Sequence, residues 1–286
     1  MNVYALGASK NIGYYATLRL LAKGATVTFL LRSPNVFKDD ASMQPFITSG
    51  HARIVQGDAL KAEDVAKGWQ AALSDPQMPR VDLVLFTIGA APAGFSITRG
   101  GLISPADICS HALLNVLRTL PSSLRSDLSV QPRIIILSSI GIGKESHTNL
   151  PFLYKPLYSW LLAQPHEDKF GIERILARCA GQPWTDREPS EEVLPPSWQT
   201  EEGTPDEGSL KRVLVIRAAL LHDGACKGDA ASESNAKKPP YRVGEEKDMK
   251  GHNGYFVSRR DVAHFIVEDA LPNWDKWEGK SVCIAY

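Results

Sequence analysis

The chain is expected to fold as a doubly wound α/β domain, a mostly parallel sheet with helices on both faces. Three observations lead there. Residues 3–33 read strand, glycine turn, helix, strand. Strand-length apolar runs then alternate with helix-period runs along the rest of the chain. Residues 81–86 and 133–137 are almost continuously apolar, as strands covered on both faces must be.

The elements follow in order. Val3-Tyr4-Ala5-Leu6 is a first strand that ends at Gly7, and an apolar-periodic helix runs to Lys23-Gly24. Residues 26–31 form strand two. Ile54-Val55 is a short third strand, closed by Gln56-Gly57-Asp58. Val65, Trp69 and Leu73 recur every four residues and mark one helical face. Strand four is 81–86. Ser104-Pro105-Ala106-Asp107 reads as an N-cap, with proline at N1 and a carboxylate at N3, opening a helix to about Leu120. Residues 133–137 are strand five, 168–180 a helix and 213–216 strand six. A last helix at 261–270 precedes a last strand at 282–284. Helical crossovers between successive strands make the sheet parallel.

Residues 1–286 are expected to form one domain, with two polar insertions at about 181–208 and 223–253. Loops of this length are functional covers or mobile insertions, and their composition favours mobility.

Composition narrows the function. A chain of 286 residues can bury a large core. Lys plus Arg equals Asp plus Glu, 32 against 32, so no surface for nucleic acid or anionic membrane is expected. The four cysteines form no C-x-x-C pair; Cys109 and Cys283 sit in apolar segments and read as small buried hydrophobes. That usage suits a reducing compartment. No apolar run reaches membrane-spanning length, and strand one begins close to Met1. A cytoplasmic protein, monomeric or homodimeric, acting on a small molecule is the expectation.

The N-terminal unit has a specific chemistry. At Gly7 the backbone turns where a side chain would obstruct a phosphate. The following helix aims its free N–H groups and positive dipole end at that turn. Gly13 lets the helix pack closely on the strand. Such a unit binds the diphosphate of a dinucleotide. The spacing is not the G-x-G-x-x-G of a standard Rossmann loop: it is Gly7-x-x-x-Asn11-x-Gly13, and asparagine tolerates the positive φ of a middle glycine. Strand two ends in Leu31-Arg32-Ser33, with no Asp or Glu to accept from a ribose 2′-hydroxyl. Arg32 offers a planar fork for a 2′-phosphate, Ser33 a short donor and Lys10 a second cation. These residues favour NADP over NAD.

Gly7-x-x-x-Asn11-x-Gly13 resembles the glycine loop of short-chain dehydrogenases/reductases, and further segments extend the resemblance over most of the chain. Gly57-Asp58 resembles the acidic turn whose carboxylate reaches the adenine. Thr87-Ile88-Gly89-Ala90 takes the place of the N-N-A-G turn beside the adenine ribose. Ser138-Ser139 stands in the strand-five serine segment. Residues 168–173 are similar to the run after the catalytic tyrosine, and Ile216-Arg217-Ala218-Ala219 to the segment along the nicotinamide. Val257-Ser258-Arg259-Arg260-Asp261-Val262-Ala263 resembles a segment of NmrA-like and other atypical members. The resemblance implies a Rossmann-type sheet of order 3-2-1-4-5-6-7. It implies cofactor contacts at Gly7, Ser9, Lys10, Asn11, Ile12, Gly13, Arg32, Ser33, Asp58, Ala59, Thr87, Ile88, Gly89, Lys169, Ala218 and Ala219. Its implied catalytic set is Ser139, Lys169 and Ser138, with no metal.

One position departs from the family. Lys169 fits the lysine of Y-x-x-x-K, but Pro165 stands where the tyrosine belongs. Atypical members, including biliverdin reductase B and the NmrA-like regulators, also lack it. Only the ribose-holding role of the lysine carries over. Adjacent His166 titrates near neutral pH and is either a replacement acid or an exposed helix-end residue. Tyr154 and Tyr158 offer a phenol or an aromatic wall. An NADP-binding atypical reductase that passes hydride to a small organic substrate is the leading expectation. An NADP(H)-sensing regulator or scaffold without turnover is its rival, and an epimerase using a tightly held nicotinamide a third reading.

Overall fold

A computed structural model describes residues 1–143, 160–233, 240–249 and 255–286. The chain runs β1 (Asn2–Leu6), α1 (Asn11–Ala22), β2 (Thr26–Leu31), α2 (Gln44–Thr48), β3 (Ala52–Gln56), α3 (Ala62–Ala72) and β4 (Leu83–Phe86). A hairpin follows, β5 (Pro92–Ser96) and β6 (Gly100–Ile103), then α4 (Ile108–Arg118), β7 (Arg133–Ser139) and α5 (Ala163–Ala180). The C-terminal part holds β8 (Val213–Ala218), β9 (Leu220–His222), α6 (Lys227–Glu233), β10 (Arg242–Gly244), β11 (Phe256–Ser258), α7 (Arg259–His264), α8 (Trp274–Trp277) and β12 (Lys280–Ala285).

The main sheet has eight strands in the order β10-β12-β8-β7-β4-β1-β2-β3. Every pairing is parallel except β10 with β12. The seven parallel strands have the expected order, and β10 adds an antiparallel edge. Residues along each strand alternate between two cores because strand side chains point to opposite faces. Val3, Ala5, Leu83, Leu85, Ile135 and Leu137 join one core; Tyr4, Leu6, Val84, Phe86, Ile134 and Ile136 join the other. The first core is closed by α1 and α7, the second by α3, α4 and α5. Both faces are therefore covered, which is why these strands read as continuous apolar runs.

Two expectations change at α4. The helix begins at Ile108, not at the Ser104-Pro105 pair, and its N-cap residue, Asp107, makes no side-chain capping bond. The cap comes from another helix. Asp168 of α5, fully buried, accepts the backbone N–H groups of Cys109 and Ser110 at 2.8 Å each, and the Ser110 hydroxyl returns a bond to the Asp168 carbonyl at 2.9 Å. A carboxylate there satisfies orphan donors and meets the positive end of the helix dipole. It also fixes the rotation of α5, and with it the direction of the next residue, Lys169.

The insertion at 181–208 is anchored by apolar burial despite its polar composition. Val193, Leu194 and Trp198 are buried, and the guanidinium groups of Arg174 and Arg178 lie over the Trp198 ring at 5.7 Å. Among the described residues no helix is long and apolar enough to cross a membrane. All four cysteines are free.

Candidate functional site

A cleft runs over the carboxyl ends of β1, β4, β7 and β8, where an open α/β sheet places its ligands. It consists of two cavities of about 420 and 390 Å³. Asn11, Thr87, Ile88, Gly89, Ala90 and Arg259 line both, so the two are halves of one groove.

The glycine turn sits at their junction. Gly7 has φ of 76°, and a Cβ there would meet the backbone of Thr87 and Ile88, at 2.6 Å from the Thr87 carbonyl carbon. Asn11 has φ of 58°, the left-handed geometry that its place in the loop demands. Lys10, the N-cap residue of α1, is extended and makes no side-chain cap bond. The first N–H groups of α1 thus face the groove without a local carboxylate or hydroxyl on them, a cradle suited to a diphosphate. Gly13 lies one turn further in. A Cβ there would overlap the Thr87 hydroxyl and come within 2.7 Å of the Ala8 Cα.

The outer half is lined by Gly7, Ser9, Lys10, Arg32, Asp58 and Ala59. Arg32 and Lys10 are exposed at its mouth. Asp58 accepts from the Leu60 N–H at 3.0 Å, which fixes the turn after β3. Ser33 is exposed and does not line the groove. Gly13 does not line it either; it is buried behind the turn.

The inner half is lined by Ile12, Ser138, Ser139, Lys169, Ala218 and Ala219 together with the shared residues. The Lys169 ammonium donates to the carbonyls of Ile88 and Leu137, at 2.8 and 2.9 Å, and bridges the chain just beyond β4 with β7. An ammonium carries three N–H donors. The two serines differ. Ser138 is buried, and its hydroxyl donates to Glu173 at 2.5 Å. Glu173 pairs with Arg217, which also meets Glu246 at 2.8 Å. Burial alone would lower the Arg217 pKa, but the two carboxylates outweigh it and hold the group well above its ordinary value. The Ser138 hydroxyl thus belongs to a buried ionic network, whereas the half-buried Ser139 has its hydroxyl 3.5 Å from the His166 Nε2.

Several lining residues lie outside the cofactor and catalytic sets expected from the sequence. Arg259 is the first residue of α7, whose N-cap Ser258 accepts from the Asp261 N–H at 2.9 Å. This S-x-x-D cap is legible in the sequence; that it aims the intervening arginine at the groove is not. Arg259 is held by Asp223 at 2.9 Å. Cys109 lines the inner half, and burial pushes its thiol up to about 12 against the opposing pull of Lys169. His166 is half-buried in the groove wall, not exposed at a helix end. Tyr154 and Tyr158 lie outside the described residues. Among the described residues no group of three or more His, Cys, Asp or Glu side chains is placed to hold a metal.

No protein-family profile matches the chain. It is similar to "Reductase pytE" of Aspergillus terreus, 26% identical over 271 residues, covering 93% of this chain and 90% of that protein. Among solved structures it resembles "ChuY: An Anaerobillin Reductase from Escherichia coli O157:H7", with a TM-score of 0.57 and 18% identity over 99% of this chain and 96% of the other. It also resembles the yeast methylglyoxal/isovaleraldehyde reductase Gre2 complexed with NADPH, with a TM-score of 0.57 and 14% identity, covering 100% of this chain and 78% of that one. These likenesses bear out the Rossmann-type fold.

Proposed function

We propose that this chain is an atypical short-chain reductase that binds NADPH and reduces a small organic substrate. The observation that carries the proposal is the groove itself. Two cavities meet over the N-terminus of α1, with Arg32, Lys10 and Asp58 around one and Ser139 and Lys169 around the other. That is the arrangement a dinucleotide needs, an anion cradle between two ring sites. The similarity to one fungal reductase along nine-tenths of the chain, and to the fold of an NADPH-bound reductase, supports the same reading.

The α1 N-terminus and the Gly7 turn would hold the diphosphate, Arg32 and Lys10 the 2′-phosphate, Asp58 the adenine side and Lys169 the nicotinamide ribose. Bound there, the cofactor would supply a hydride, a proton together with two electrons, to the substrate. The protein's part is placement. Ser139 presents a hydroxyl to a substrate oxygen, and Ala218, Ala219 and Leu220 give the inner wall an apolar lining that limits water.

The test is a titration with NADPH and NADH, followed by nicotinamide absorbance with a panel of aldehydes, enones, quinones and flavins. Tight NADPH binding with turnover of a panel member is expected. A second reading has one observation in its favour, the proline at the tyrosine position, Pro165. It is an NADP(H) sensor. NADPH binding that alters protease cleavage within 181–208 or 223–253, without turnover of any panel member, would put the sensor in place of the reductase.

A further inference from the structure

We propose that His166, together with Ser139, supplies the proton that the substrate oxygen takes up; this rests on the reductase reading above. The family tyrosine is replaced by Pro165, which has no protic atom. The next residue has one, and α5 places it well. His166 and Lys169 are three residues apart on the helix, on one face, and both line the inner cavity. The His166 Nε2 stands 3.5 Å from the Ser139 hydroxyl, which comes from a different element, the end of β7, and donates to the Ile140 carbonyl at 3.2 Å. Two donors that far apart can both reach one oxygen at roughly 2.8 Å. A carbonyl oxygen seated between them would be oriented by the serine and protonated by the imidazole.

Among the described residues, other protic and charged groups around this cavity also hold partners. Lys169 donates to Ile88 and Leu137, Cys109 donates to the Ile88 carbonyl at 3.4 Å, and the Ser138 hydroxyl is on Glu173. Asp168 accepts the two N–H groups that cap α4, and Arg259 pairs with Asp223. Glu167, beside His166 in sequence, is bound by Arg187. Tyr255 also lines the cavity. An imidazole can give a proton from a ring nitrogen, and histidine is the side chain most often used for general acid–base transfer.

The step balances with one reductant, a reduced nicotinamide, which supplies a hydrogen and its electron pair to the carbonyl carbon. The C=O π pair moves onto oxygen, the oxygen takes the proton from Nε2, and an alcohol results. The imidazole is left neutral and is reprotonated by water at the groove mouth.

The test uses the full chain with His166→Asn and His166→Gln, a carbonyl substrate that the wild type turns over, and NADPH affinity measured separately. Both variants should lose about a hundredfold in kcat while NADPH affinity stays within about twofold. Wild-type kcat should fall as pH rises through the imidazole pKa, and that dependence should be absent in the variants. Without turnover, the imidazole NMR signals missing from His166→Gln should shift in the wild type when NADP and an unreactive alcohol bind together. A kcat within about threefold of wild type in both variants, with the pH profile unchanged, overturns the proposal. So do imidazole signals that the alcohol leaves in place, or NADPH binding lost in both variants, because an acid on the substrate side does not hold the cofactor. A wild type that turns over no carbonyl or conjugated substrate fails differently: it removes the reductase reading itself.

Discussion

Gly13 of α1 packs against Thr87 so closely that a Cβ at residue 13 would overlap the threonine hydroxyl. The contact joins the first helix to the chain leaving β4, at the point where both cavities meet. Gly13→Val is therefore expected to abolish dinucleotide binding in a titration and to lower the melting temperature. Trimming the partner, as in Gly13→Ala with Thr87→Ala, should not restore binding, because the Ala8 Cα would remain 2.7 Å from the new methyl. Binding at wild-type strength by folded Gly13→Val would place the cofactor elsewhere.

Arg32 should set the choice of cofactor. It lines the outer half, and no carboxylate ends β2 to take a ribose 2′-hydroxyl. Arg32→Ala should weaken NADPH by about ten- to a hundredfold, the scale of a lost charge-assisted contact, and leave NADH nearly unchanged. Equal losses for both would remove the 2′-phosphate from the argument.

Arg259 should behave in the opposite way. It borders both halves beside the helix N-terminus, where the shared part of the two cofactors would lie. Arg259→Ala should weaken NADPH and NADH alike, by about tenfold. Asp223→Asn should change either affinity by about twofold at most, since its carboxylate is largely exposed and such pairs contribute little. Isothermal titration of both cofactors against both variants separates these outcomes.

Asp261 ties the C-terminal elements together. Its carboxylate accepts from the Tyr286 hydroxyl at 2.6 Å, the Gly228 N–H at 2.8 Å and the Ser258 hydroxyl at 2.8 Å. Burial alone would raise its pKa, but these bonds outweigh burial and hold it below the usual carboxylate value. A depressed folded-state pKa contributes stability above the unfolded value, about 3.9, which is lost as pH falls through the folded value. Asp261→Asn should cost about 2 kcal/mol near neutral pH. The gap from wild type should narrow in chemical denaturation below about pH 4. A gap that stays constant into acid would show that geometry, not charge, sets the cost.

The sheet and the glycine turn were legible because their signals are local. Alternation along β1, β4 and β7 reports two covered faces from four to seven residues at a time. The positive φ of Asn11 follows from residue type and loop spacing. The hairpin of β5 and β6 was not legible: Pro92, Gly94, Gly100 and Gly101 suppress any strand pattern, and antiparallel pairing holds it. The three-residue strands β9 and β11 pair across 33 residues of intervening chain on the far side of α6 and β10, and neither carries a period of its own. The cap of α4 comes from Asp168, about 60 residues away in sequence, where no local capping rule can see it. The two serines at the end of β7 are identical in sequence and unlike in the fold, because Glu173 approaches one and His166 the other.

A six-residue stretch of α5 meets three separate obligations. Asp168 caps α4, Lys169 joins the chain beyond β4 to β7, and Glu173 anchors Ser138 and Arg217. Each depends on the helix being set at one rotation about its axis. Inserting or deleting a single residue between Asp168 and Glu173 would turn the remainder by about 100° and break at least one of the three whatever residue was used. Substitution within this stretch is graded in its effects; a change of length is not. The spacing of the segment is therefore more tightly specified than its composition, and a relative with an altered count there would have to build this wall of the groove by other means.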